Sequence, residues 1–165
     1  MRVPHSVAAL FGAALLLTAS AHAQQPAAPA TPPGPPMPYG MSIDLATAKK
    51  LADAALAKAK FPSAVAIVGT GGEVVVLEKQ DNSNYSVSEL AVKKARSAAA
   101  FRRPTKFFED ALATRPVIGQ LGVTAVGGGI PLVKDGHIIG AIGASGAPSS
   151  DGDIEAAQGG VDALK

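Results

Sequence analysis

The chain has neither cysteine nor tryptophan among its 165 residues. Without thiols, disulfides, thiolate metal centres and cysteine nucleophiles are excluded. Charge of one sign is also scarce. Fifteen basic and 13 acidic residues leave a formal net charge of +2, too small to indicate nucleic acid as a partner. Histidine occurs three times, at His5, His22 and His137, too few for a histidine-rich metal site. The carboxylates are scattered and show no diagnostic pair. Gly143-Ala144-Ser145-Gly146-Ala147 looks like a broken nucleophile elbow, but no histidine follows Ser145 to act as its base, which argues against a hydrolase.

Long apolar runs are missing beyond the first segment. Met1 to Ala23 carries Arg2, a short apolar run from Val7 to Leu17 and the cleavage signal Ala21-His22-Ala23. That is a secretory signal pattern over residues 1–23, and its apolar core is short for a membrane span. The expectation is an exported protein, periplasmic or extracellular, with no membrane insertion after cleavage and a core that holds without disulfides. From Gln24 to Gly40, seven of 17 residues are proline. Proline fixes φ and lacks an amide donor, so residues 24–41 read as a disordered Pro/Ala-rich linker.

Residues 42–165 read as the domain. Leu45, Ala48, Ala52, Ala55 and Ala59 lie on one face at helical spacing, with Asp44 as the N-cap. Phe61-Pro62 ends that helix. Two β-branched runs, Ala64–Val68 and Val74–Leu77, flank Gly69-Thr70-Gly71-Gly72 and form a hairpin. A phosphate loop would feed a helix; this glycine turn feeds a strand. Val87, Leu90, Ala91, Ala95, Ala98 and Phe101 predict a second helix, and Thr105 to Ala113 a short third one after Pro104. Val117 to Val126 is expected to contain one short strand. Lys134-Asp135-Gly136-His137 suits a type I′ turn into a strand running to Ser145, whose glycines predict bulges or close backbone approach. A helix from Ser149 to Lys165 closes the chain. The fold class is α+β, a central antiparallel β-sheet flanked by α-helices in the order α-β-β-α-α-β-β-α.

One cluster carries chemistry. Lys93, Lys94, Arg96, Arg102, Arg103 and Lys106 place six positive charges within 14 residues, with no acid among them. They read either as an anion site around the break at Pro104 or as a solvated helix face. Phe101 and Phe107 beside them would suit a flat molecule with acidic tails. His137 is open to two readings, a surface residue beside a turn or a ligand to a metal or haem iron.

The ordered series Ala64–Val68, Gly71-Gly72, Lys94-Ala95 with Ala98 and Phe101, Pro104-Thr105, Gly128-Gly129-Ile130-Pro131 and Gly140 to Gly146 resembles the GlcG/HbpS-like family of small haem-binding proteins, also called haem-degrading-domain or PduO C-terminal-like proteins. The resemblance runs from Ser42 to Lys165. It implies homo-oligomers, often octamers, that bind haem or related tetrapyrroles; exported relatives work beside a membrane sensor of a two-component system. It also implies a haem site in the region Lys94 to Thr105. There Lys94, Ser97 and Phe101 line the site, Arg102 and Arg103 hold propionates, and Thr105, or else Ser97, is the candidate iron ligand. The expected function is therefore an exported, non-catalytic haem-binding module. The alternatives are a module for a small organic acid or cobalamin-related ligand, and haem degradation.

Overall fold

The structure, a computed structural model, describes residues 36–164. The expected signal segment and most of the expected linker lie outside the described residues.

Helix α1 spans Leu45–Lys58. Asp44 starts it, accepting from the Thr47 amide at 2.8 Å and the Thr47 hydroxyl at 2.7 Å. These hydrogen bonds, the amide's foremost, hold the Asp44 carboxyl below its ordinary value. Strands β1 (Ala64–Val68) and β2 (Val74–Lys79) form the expected antiparallel hairpin. Helices α2 (Val87–Phe101) and α3 (Lys106–Leu112) follow. Strands β3 (Gly129–Lys134) and β4 (His137–Ser145) form a second hairpin, and α4 (Ser150–Asp162) ends the fold. Asp135 and Gly136 both have positive φ, 50° and 75°, the backbone a type I′ turn requires.

The four strands lie in the order β2-β1-β4-β3, all neighbours antiparallel. Side chains alternate across β1 and divide the core in two. Val65 and Ile67, with Leu132, Ile142 and Ala144, pack beneath α1 and α4. Ala64, Ala66, Val68 and Ala141 meet α2 on the other face. Each fully buried Val, Leu or Ile contributes about 1.5–3 kcal/mol, and these two layers hold the fold without cross-links. The α2 face is almost all alanine, so helix and sheet approach closely. At Gly143 a Cβ would stand 2.1 Å from the Ala91 carbonyl oxygen, so only glycine fits there. The expected bulge occurs as well: the β3–β4 register shifts between Leu132 and Val133. Pro131 is tolerated because β3 is an edge strand.

Two expectations change. The strand expected within Val117–Val126 is a 3₁₀ helix, Pro116–Leu121. Pro116 supplies the fixed φ of a first helical turn, and Gly122, at φ 68°, ends it. The buried Ile118 of that turn packs on Phe108 and Ala111 and pairs with no sheet edge. The end of the segment expected as disordered linker is also ordered. Tyr39 bridges Ile138 in parallel, with the Ile138 amide donating to the Pro38 carbonyl at 2.9 Å and the Gly40 amide to the Ile138 carbonyl at 2.8 Å. The end of the proline-rich tract is thus a strap bound to β4.

Candidate functional site

The six cations of the cluster have different fates. Lys94 is fully buried. Its Nζ lies 2.6 Å from Asp153 Oδ2 and donates to the Ala144 carbonyl at 3.1 Å, while Asp153 Oδ1 accepts from the Ala147 amide at 2.9 Å. Lys93 pairs with Glu89 at 2.7 Å, and Lys106 pairs with Asp110. Hydrogen bonding to Lys93 holds the Glu89 carboxyl below its ordinary value, and Asp110 holds the Lys106 ammonium above its own. Three arginines remain. Among the described residues none of them has a carboxylate partner. Arg96 donates to the Gly72 carbonyl at 2.9 Å.

Arg102 and Arg103 sit where α2 stops. Arg102 caps the helix in the left-handed region, at φ 54° and ψ 37°, and Pro104 blocks continuation. Glycine is the usual residue in such a cap, and an arginine there carries backbone strain of about 1–2 kcal/mol. Its guanidinium lies 5.1 Å from the centre of the Tyr39 ring, and Nη1 donates to the Met37 carbonyl at 3.3 Å. Arg103 lies 4.5 Å from the centre of the Phe107 ring. Phe101, Phe107 and Phe108 stack edge to face, with centroids 5.1 and 5.3 Å apart. The outcome is two guanidinium groups side by side in sequence, each resting on an aromatic ring and each keeping N–H groups for an anion.

A cleft of about 300 Å³ runs beside this end of α2, lined by Lys93, Arg96, Ser97, Phe101 and Thr124 among others. Ser97 braces it, its Oγ accepting from the Thr124 amide at 2.9 Å. The volume lies at the lower end for a small-molecule site.

Thr105 is fully buried. Its amide donates to the Gly129 carbonyl and its Oγ1 accepts from the Gly129 amide, both at 2.9 Å, so it locks the start of α3 to β3. The structure therefore places Arg102 and Arg103 just past the end of α2, Ser97 and Phe101 in the wall of the neighbouring cleft, and Lys94 and Thr105 in the interior. His137 is elsewhere, on the rim of a 430 Å³ cleft beside α1, its Nδ1 2.9 Å from the Asp135 carbonyl. Among the described residues no group of three His, Cys, Asp or Glu side chains is placed to hold a metal ion.

Tyr39 is the residue the sequence reading missed. It was hidden in the proline-rich tract, although it is the only aromatic there. The burial of Lys94 did have a signal. Val87, Ala91, Lys94, Ala98 and Phe101 recur at spacings of three and four, which puts the lysine in the apolar stripe of α2.

A profile of the family described as "Haem degrading protein HbpS-like" matches residues 43–162. The chain belongs to the HbpS-like family. An uncharacterized 15.0 kDa protein of Citrobacter freundii is 32% identical to this HbpS-like chain over 114 residues, 64% of this chain and 80% of that one. Protein GlcG of Escherichia coli K12 is 34% identical over 95 residues, 53% of this chain and 67% of GlcG. Among solved structures, a double mutant of Streptomyces reticuli HbpS superposes with a TM-score of 0.71 at 29% identity, covering 84% of this chain and 98% of that one. A structure described as a PduOC–heme complex superposes with a TM-score of 0.67 at 30% identity, covering 74% and 95% of the two chains. The α+β fold, with its four-stranded antiparallel sheet, is that of these neighbours.

Proposed function

We propose that this HbpS-like chain binds haem or a closely related tetrapyrrole at the arginine end of α2. The observation that carries the reading is the pair Arg102 and Arg103, each lying on an aromatic ring with no carboxylate partner among the described residues. Guanidinium groups so placed offer bidentate hydrogen bonds to carboxylates, and the acid side chains of a porphyrin are such carboxylates. Phe107 and Tyr39 are more than 40% exposed and add apolar surface beside them. Family membership and the haem-bound PduOC relative support the ligand class.

The donor set fits the acidic edge of a haem better than its iron. The hydroxyl of Thr105 is buried and engaged with Gly129, and that of Ser97 accepts from Thr124. In this reading Arg102 and Arg103 hold the carboxylates and Phe101 and Phe107 exclude water. Ser97 braces the cleft, Lys94 ties the middle of α2 to β4 and α4, and Thr105 fixes the start of α3. Haem, when bound, supplies its own iron redox chemistry. The cleft is small for a porphyrin, so the berth is completed by a second copy within a homo-oligomer, an octamer by family likeness. The positive, apolar and A-x-A features of residues 1–23 support export, and an exported haem binder is suited to serve a membrane sensor.

Absorbance titration with haem and with metal-free protoporphyrin IX tests the reading. Both are expected to bind, within about tenfold of one another, because the residues hold carboxylates. A chain that leaves the Soret band unshifted overturns the function. A chain that takes haem and refuses protoporphyrin overturns the arginine berth. N-terminal sequencing of the secreted protein, expected to begin at Gln24, tests export.

A further inference from the structure

The strap enters the site from outside the family-matched residues, since the match begins at residue 43. Tyr39 reaches α2 with both ends of its side chain. Its hydroxyl donates to the Ala99 carbonyl at 2.8 Å, which also takes the Arg102 amide at 3.3 Å, and lies 3.3 Å from the carbonyl of Ala100. Its ring lies under the Arg102 guanidinium. The strap's backbone contributes as well, because the Met37 carbonyl takes one N–H of the same group. The main-chain bonds of Pro38 and Gly40 to Ile138 fix the strap on β4, so the ring is held from a rigid strand. Arg102 itself occupies a strained left-handed cap, at φ 54°.

We infer that Tyr39 is a positioning residue for ligand carboxylates, acting through Arg102. The inference rests on the proposed arginine berth. One face of the guanidinium lies on the ring and one N–H is taken by Met37, which leaves the remaining N–H groups in a fixed plane for a carboxylate. Ordering a long arginine before the ligand arrives removes an entropic cost of binding. The recognised chemistry is the carboxylate alone, so the effect of Tyr39 must vanish when the ligand's acids are masked.

The test is equilibrium titration of the full chain and of Tyr39→Phe, Tyr39→Ala and Arg102→Ala, each with haem and with haem dimethyl ester, whose acids are esterified. The parent chain is expected to prefer haem over the ester, and Arg102→Ala to lose that preference. Tyr39→Ala is expected to lower haem affinity about three- to thirty-fold, the range of a lost cation–π contact, and to leave ester affinity within twofold. Tyr39→Phe keeps the ring and is expected to keep the preference, which separates positioning from folding. A parent chain that binds haem and ester equally overturns the arginine berth and this role with it. A preference that survives in Tyr39→Ala, or an equal loss for both ligands, overturns the role of Tyr39 while the berth stands.

Discussion

Lys94 and Arg102 lie about two turns apart on one helix and belong to one run of positive charge, yet the structure uses them in opposite ways. Lys94 is sealed inside, neutralised by Asp153 and bonded to the Ala144 carbonyl. Arg102 stands at the helix end on an aromatic ring, with no carboxylate partner among the described residues. A count of charges treats the two alike. What separates them is the face of the helix and the presence of an opposite charge, and only the second kind of cation is available to a ligand.

The largest expected effect breaks the buried half of this contrast. Lys94→Met leaves Asp153 without its ion-pair partner in the core and is expected to cost about 3–5 kcal/mol in urea unfolding. Replacing both partners together, Lys94→Met with Asp153→Leu, should recover most of that loss. A single variant as stable as the parent would mean that the pair is not sealed from water.

Thr105→Val comes next. It keeps the shape and removes the acceptor for the Gly129 amide, with an expected cost of about 1–3 kcal/mol. The absorbance spectrum of the haem-loaded variant should match the parent's. A changed spectrum at unchanged stability would make Thr105 an iron ligand rather than a lock.

On the exposed side, Arg102→Gly should separate stability from binding. Glycine relieves the left-handed strain while the ring contact is lost, so the unfolding free energy is expected to stay within about 1 kcal/mol of the parent. Haem affinity should fall nonetheless. A strongly destabilised variant would show that Arg102 serves the fold.

The smallest effect concerns acid. The carboxyl of Asp44 is held below its ordinary value by Thr47, so its contribution is fully present above that ordinary value and fades as pH falls through the lowered folded value. Asp44→Asn should flatten that part of the stability–pH curve, measured by thermal melts below pH 4.

How much of this was legible depends on where the information sits. Both hairpins could be read because their turns are chemical statements: Gly69 to Gly72 between β-branched runs, and Asp135-Gly136 for the type I′ turn. The helices followed from spacing. The short strand expected within Val117–Val126 gives way to the 3₁₀ helix Pro116–Leu121 because short apolar runs look alike in either state, and packing on Phe108 sets the outcome. At the site, the cationic cluster was visible, and its division into buried, ion-paired and available members was not. Asp153 is remote in sequence, and the strap that places Tyr39 under Arg102 exists only through pairing with Ile138.

The central claim is that the two arginines at the α2 end recognise a tetrapyrrole by its carboxylates. Haem titration of the parent chain against Arg102→Ala/Arg103→Ala, followed at the Soret band, tests it most directly. The account predicts a saturable shift in the parent and at least a tenfold weaker one in a double variant that melts at nearly the same temperature. Equal affinity in the two proteins would contradict it.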